Sequence, residues 1–353
     1  MHFSIKDNLR ASVEAASNGR RTVLYDDYGN PSVMYIMTKD KFKKADLGGE
    51  ALLGTGYHEA FIVHGKEVPE IFVSVTHNVL GDGGCAVSWP GVDPQVYITY
   101  DDAVAACKKK GKGWHVMSNA EWMALALSSW KNGTMPHGNN NYGSDIDYPK
   151  EKGVPAAYDG EGRITRTKTC SGPDTWFHDH TRDGVDGMNG NIWDWIGGMK
   201  LIDAKIYVAG EDGVAMNNFD IVDSHRSVTN WLDTGLYYNQ TNPITVTKNV
   251  TVWNNTDHTN EDLTGGVGHT FGTMTANATV PAYFKSLGLY PVGDAASTGQ
   301  DGMSVRTTGE RIALRGGGWD HTRGAGLFYL NLYGHRRFSG SVVGFRACYI
   351  PTA

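Results

Sequence analysis

Apolar positions in the first third of the chain switch between helical and strand spacing. In DNLRASVEAAS, residues 7–17, Leu9, Val13 and Ala16 recur at helical intervals behind Asp7, a residue type that caps helices, and Asn18-Gly19 supplies a stop. TVLYDDYGNPSVMYIM predicts two strands about a turn at Tyr28-Gly29-Asn30-Pro31. A second extended pair follows around EAFIVHGKEVPEIFVSVTHNV, with His-Gly-Lys-Glu at its hairpin centre. Helical spacing returns in TYDDAVAACKKKG, where Thr99 precedes Asp102, and Ala103, Ala106 and Cys107 form a small apolar face ahead of Gly111. SNAEWMALALSSWKNG carries Ser118 and Glu121 as a capping box and sets Trp122, Leu125, Ala126 and Trp130 on one side. Both segments predict amphipathic helices packed on a sheet.

Periodicity fades after Gly133. PHGNNNYGSDIDY and GPDTWFHDHTRDGVDGMNGN read as loops, followed by the apolar run NIWDWIGGMKLI and a strand-like AKIYVAG. Residues 217–300 are polar and rich in Thr and Asn, with a strand-like island at PITVTKNVTVW and a helical piece near VPAYFKSLGL. The predicted organisation is an N-terminal helix and strands over residues 1–90, packed on a main domain over 91–353 that carries a loop-rich insertion at about 205–300.

Composition narrows the function. A net charge of -6 argues against a nucleic-acid surface, and the one basic run, Lys108 to Lys110, falls at a helix end, where cations suit the dipole. No apolar run approaches the ~18 residues of a membrane span, and MHFSIKDNLRASVEAA lacks the apolar core of an export signal, so neither membrane insertion nor a cleavable leader is expected. Cys85, Cys107, Cys170 and Cys348 show no C-x-x-C spacing, so the fold must rest on its core.

The closing segment stands out by what it omits. From Arg311 to Ala353 there is no Lys, Glu, Gln or Met, although these types fill about one position in seven before it. Gly-rich segments are often low in Lys and Glu, so composition alone is a competing explanation. Motifs add to it. YDDAVAACKKKGKGWHVMSNAEWMALAL, NGNIWDWIGG and LRGGGW…GFR, in that order across residues 96–348, resemble the formylglycine-generating-enzyme type of C-type lectin fold, with Asp194 where that family has Glu. The resemblance implies an α+β C-type lectin-like fold. The oxidases of that family use cysteines, or histidines around iron, in this last third, and no cysteine lies between Trp319 and Phe345. LRGGGW, GAGLF and GFR are similar to the variable region of proteins diversified by a retroelement, the bacteriophage tropism-determinant family among them. In that family a template is miscopied at adenines, largely in Asn codons, and Lys, Glu, Gln, Met and Trp are residue types such copying does not write. The resemblance therefore accounts for the missing letters.

Carried over by position, it implies a variable region at 314–346 with diversified, ligand-binding residues at Gly318, Asp320, His321, Arg323, Tyr329, Asn331, Tyr333, Gly334, His335, Arg337, Phe338, Ser339, Ser341 and Val342. Leu314, Arg315, Gly316, Gly317, Trp319, Gly326, Leu327, Gly344, Phe345 and Arg346 would be scaffold, and Phe328 and Leu330 are read as core on the inward strand face. The implied function is non-catalytic binding of a host-cell surface protein or glycan, by a phage tail-tip protein or a bacterial surface protein, with homotrimers formed by relatives; an oxidase is the alternative from another class. No nucleic acid or cofactor is expected. His178-Asp179-His180 would aim two imidazoles to one side only if it were a strand; otherwise it is a solvated loop. Asn189, Asn191 and Asp194 could hold a structural calcium ion in a Gly-rich turn. Cys107 and Cys348 resemble the helix-to-last-strand disulfide of lectin folds, but Ala347 shifts the second cysteine by one residue and so to the opposite strand face.

Overall fold

The computed structural model of the chain describes residues 5–351 apart from 222, 256, 258, 259, 263 and 264. The first helix, Ile5–Ala16, begins earlier than its pattern predicts, so Asp7 lies inside it and not at its cap. Strands Arg21–Tyr25 and Pro31–Thr38 then pair antiparallel about the expected turn. That turn forms because Asp26 Oδ1 accepts from the Tyr28 and Asn30 N–H groups, a side chain standing in for backbone. The hairpin Ile62–Val63 with Lys66–Glu67 closes through His64 and Gly65, both in the left-handed region that tight two-residue loops demand.

The two main helices form as their caps dictate. Helix Tyr100–Lys108 starts where Thr99 Oγ1 accepts from Asp102 N, and helix Asn119–Asn132 starts on a complete capping box between Ser118 and Glu121. Of the three lysines after the first, Lys110 departs from a solvated helix end. It is buried, with Nζ 3.0 Å from Ser32 Oγ and 3.4 Å from Asp26 Oδ2, over the Trp114 ring.

Two sheets organise the rest into the α+β architecture. The smaller runs Arg21–Tyr25, Pro31–Thr38, Glu70–Ser74, Ala347–Tyr349, Trp114–Val116, each neighbour antiparallel. The end of the variable region is thus locked between a strand from the first 90 residues and one from the main domain. In the larger sheet, Trp193–Ile202 lies beside Glu310–Gly316, which pairs with Gly326–Leu332, while Val343–Phe345 runs parallel to Trp193–Ile202. Helix Asn119–Asn132 seals the core with Trp122, Met123, Leu125 and Leu127, all fully buried; each such side chain contributes about 1.5–3 kcal/mol.

The segment read as an insertion extends this large sheet through Lys205–Glu211, Trp231–Asn239 and Thr245–Thr247. Trp231–Asn239 escapes a period-2 reading because its register shifts against Lys205–Glu211 and Gly235 is left-handed; a bulge resets which side chains face inward. No helix among the described residues is long and apolar enough to cross a membrane.

Candidate functional site

The ends of the closing segment are fixed by buried guanidinium groups. Arg315 is fully buried and donates to Asn119 Oδ1 (2.8 Å), Gly288 O (3.0 Å) and Phe328 O (3.2 Å), joining the second helix, a loop and the next strand. Burial lowers its pKa to about 9, which still leaves it charged at neutral pH. Arg346, equally buried, donates to Asp186 O (2.9 Å), Ser74 O (3.1 Å) and Asp194 Oδ2 (3.4 Å). Gly316 and Gly317 both have φ near +90°, which turns the chain out of its strand, and a Cβ on Gly317 would lie 2.6 Å from Ala325 Cβ. Of the expected scaffold positions, all but Trp319 are buried.

Between these ends the chain makes two excursions, and Trp193 stands where they meet. Its ring packs edge-on to His321 (4.9 Å between centroids) and to Tyr329 (4.6 Å). On its other side a cleft of about 340 Å³ opens, with Trp193, Leu314 and Val343 facing Asn331, Tyr333, Gly334, His335, Phe338 and Val342. Arg306 covers the Tyr333 ring at 4.6 Å, and His335 Nε2 lies 3.1 Å from Asp262 Oδ1. Burial, opposed by Asp262 and reinforced by Arg311 and Arg337, holds the His335 imidazole below the usual histidine range. The cleft wall is therefore aromatic and mostly uncharged, with one cation and two carboxylates, Glu261 and Asp262, at its edge.

Six of the fourteen residues expected to be diversified line this cleft. Arg337, Phe338 and Ser339 form an exposed apex, with Ser341 half-buried behind it. Asp320 and Arg323 sit on the other excursion, exposed, and Arg323 Nη2 meets Asp147 Oδ1 at 2.6 Å. Gly318, Tyr329 and Gly334 lie below the surface. Tyr329 spends its hydroxyl near Ser304 Oγ (3.2 Å), and a Cβ on Gly318 would fall 2.4 Å from Val342. These three shape the floor and present no side chain outward. Phe328 and Leu330 are fully buried in the core, on the inward face where they were read.

Several neighbours have no counterpart in the sequence reading. Trp193 was visible only as part of NIWDW. Arg306 and Asp262 come from segments without any motif. Arg336 looks like Arg337 in sequence, yet it is buried, with Nε 2.8 Å from Glu310 Oε2 and Nη2 3.1 Å from Asp223 Oδ1. Lys200 completes this network at 2.8 Å from Asp223. No local signal separates the two arginines.

The remaining candidates resolve into structural roles. His178-Asp179-His180 is a turn: His178 is buried and accepts from Val185 N, while His180 Nε2 pairs with Met135 O 3.1 Å away. Asn191 Oδ1 accepts from Thr167 N and Asn139 Nδ2, and Asp194 sits between the His77 ring and the Arg346 guanidinium, so these two expected calcium ligands already have partners and one faces a cation. Asn189 turns its amide to Pro136 O. Cys107 and Cys348 are both free and buried, and burial pushes both thiols up, away from the thiolate that oxidase chemistry uses. Among the described residues one trio, His115, Glu121 and Cys348, lies close enough to share an ion. Glu121 there already accepts from Ser118 N, Asn217 Nδ2 and the His115 ring.

No family model matches the chain, and no curated protein does. Among solved structures it is similar to the Major Tropism Determinant U1 variant (12% identity, TM-score 0.32, covering 90% of this chain and 63% of that one). It is similar also to the P3c variant (11%, 0.33, 90% and 63%) and to Treponema denticola variable protein 1 (12%, 0.36, 94% and 99%). The chain thus spans about 63% of the length of those two determinants. These are variable proteins and tropism determinants, the class that the closing motifs resemble. At these identities and TM-scores the likeness assigns no partner and no residue role.

Proposed function

We propose that this chain is a non-catalytic receptor-binding protein whose residues 318–342 form a face diversified from copy to copy. The observation that carries the reading is a division inside one segment. Positions at 314–317 and 343–346 are buried, and 314–316 and 343–346 are bonded to backbone, while those between them, apart from Gly318 and Tyr329, reach the aromatic cleft or solvent wherever the pattern expects diversification. Apart from His321, whose Nδ1 accepts from Gly318 N, and Asn331, whose Oδ1 accepts from Tyr333 N, the side chains that reach the cleft or solvent there can change without touching the backbone bonds of the segment. Tyr, Phe, His, Arg and Ser on such a face supply rigid contact area and adaptable hydrogen bonds at low entropic cost.

The setting that fits is a phage tail tip selecting a host-cell surface protein or glycan, with several copies, trimers among the arrangements, turning weak single contacts into firm attachment. Sequencing the gene across its natural population tests this. Substitutions confined to the fourteen positions, opposite adenines in a flanking near-copy, are the expected result. A uniform segment without such a copy overturns it.

A further inference from the structure

We propose that Tyr97 is a constant contact residue of this face, a phenol ring supplied from outside the diversified segment that touches a protein partner whichever side chains occupy 318–342. The inference rests on the reading of that face as a binding surface. Residues 95–100 run antiparallel along the end of the variable segment: Tyr97 N donates to Gly340 O at 3.0 Å and Tyr100 N to Arg336 O at 3.1 Å. The fit is tight, since a Cβ on Gly344 would stand 2.5 Å from Gln95 O. Along this stretch Val96 and Ile98 are buried and Tyr97 is 69% exposed, an alternation fixed by Trp195 Nε1 donating to Ile98 O at 3.0 Å. The ring cannot turn inward without reversing its neighbours.

Its backbone makes the residue choice informative. Tyr97 has φ +56°, in the left-handed region that glycine or asparagine enters more cheaply. Among the described residues its hydroxyl has no hydrogen-bond partner and its ring no aromatic or cationic neighbour. A bulky ring held in a strained conformation, unused within the chain, points to use outside it. The hydrogen-bonded loop beside it carries the exposed apex Arg337, Phe338 and Ser339. The partner chemistry follows from breadth. Tyr97, Arg337, Ser339, Asp320 and Arg323 are exposed and do not line the cleft, so the face extends beyond a small-ligand site, as contact with a protein surface requires.

The test uses the full chain on a display platform, with Asp320, His321, Tyr333, His335, Arg337, Phe338, Ser339 and Ser341 randomised on the native, Tyr97→Phe and Tyr97→Ala backgrounds. Each library is selected on immobilised lysozyme and, separately, on a chitin-oligosaccharide surface, and thermal melts confirm that the three backgrounds fold alike. Lysozyme binders should arise on the native and Tyr97→Phe backgrounds and lose about tenfold or more in affinity when moved onto Tyr97→Ala. Equal affinities on all three overturn the role of Tyr97. Binders to the oligosaccharide alone overturn the protein partner. Absence of binders from every library overturns the reading of the face itself, and the role of Tyr97 with it.

Discussion

Arg315 and Arg337 carry the same side chain on the same closing segment, and the fold treats them oppositely. The first is buried with its donors on three carbonyls and an asparagine; the second stands in solvent at the apex. The difference teaches where sequence freedom lies. Buried groups that satisfy several backbone atoms or buried carboxylates are bound to the path of the chain, whereas groups that stand in solvent can be exchanged. A buried guanidinium costs much to desolvate, and removing it strands every acceptor it served.

The strongest way to break this comparison is Arg315→Ala. It should cost about 3–5 kcal/mol, enough to unfold a marginal domain, and urea denaturation would read it. A melt unchanged within a degree would mean that the segment is not held from its ends.

Asp301 offers a pH test of the same region. Burial raises its pKa to about 8 from 3.8, although it accepts from Phe328 N at 2.7 Å. The folded state therefore holds a proton that the unfolded state releases above pH ~4. Its stabilising contribution is complete below that pH and is lost as pH rises through about 8. Denaturation of the native chain and of Asp301→Asn between pH 4 and 9 should diverge by a few kcal/mol, with the variant the flatter. Parallel curves would show the carboxyl ionised in the fold.

The adjacent pair sharpens the comparison to a single residue step. Arg336→Ala should lose about 1–3 kcal/mol as Glu310 and Asp223 lose a shared partner, while Arg337→Ala leaves the melting temperature where it was. Equal losses would erase the distinction between them. The smallest effect belongs to the apex as a whole: Arg337, Phe338 and Ser339 replaced together by alanine should leave the melt and the amide-exchange protection of Gly326–Leu332 unchanged. Loss of that protection would show that the apex supports the strand.

What the sequence made legible follows from the range of each cause. Thr99 and Ser118 mark their helices because a cap acts within one turn, and Asn30 and Gly65 mark their turns for the same reason. The missing Lys, Glu, Gln and Met mark the segment proposed as the binding face, and the Arg-Gly-Gly and Gly-Phe-Arg motifs mark its buried ends. Signals that depend on distant partners stayed hidden. Lys110 turns inward to Asp26 and Ser32, and Trp193 becomes the meeting point of two loops that follow it by more than a hundred residues. Arg336 parts from Arg337 only once Glu310 and Asp223 are in place, and the bulge in Trp231–Asn239 removes the alternation that would have announced the strand.

The strand Ala347–Tyr349 comes after every exchangeable position, yet it fills the gap between Glu70–Ser74 and Trp114–Val116. A gene copy that acquires a stop codon or shifts its reading frame within 318–342 therefore yields a chain in which Trp114–Val116 is cut off from the other three strands of its sheet. If the segment is rewritten as proposed, the placement of one short strand makes completion of that sheet depend on every version of the text being read through to its end.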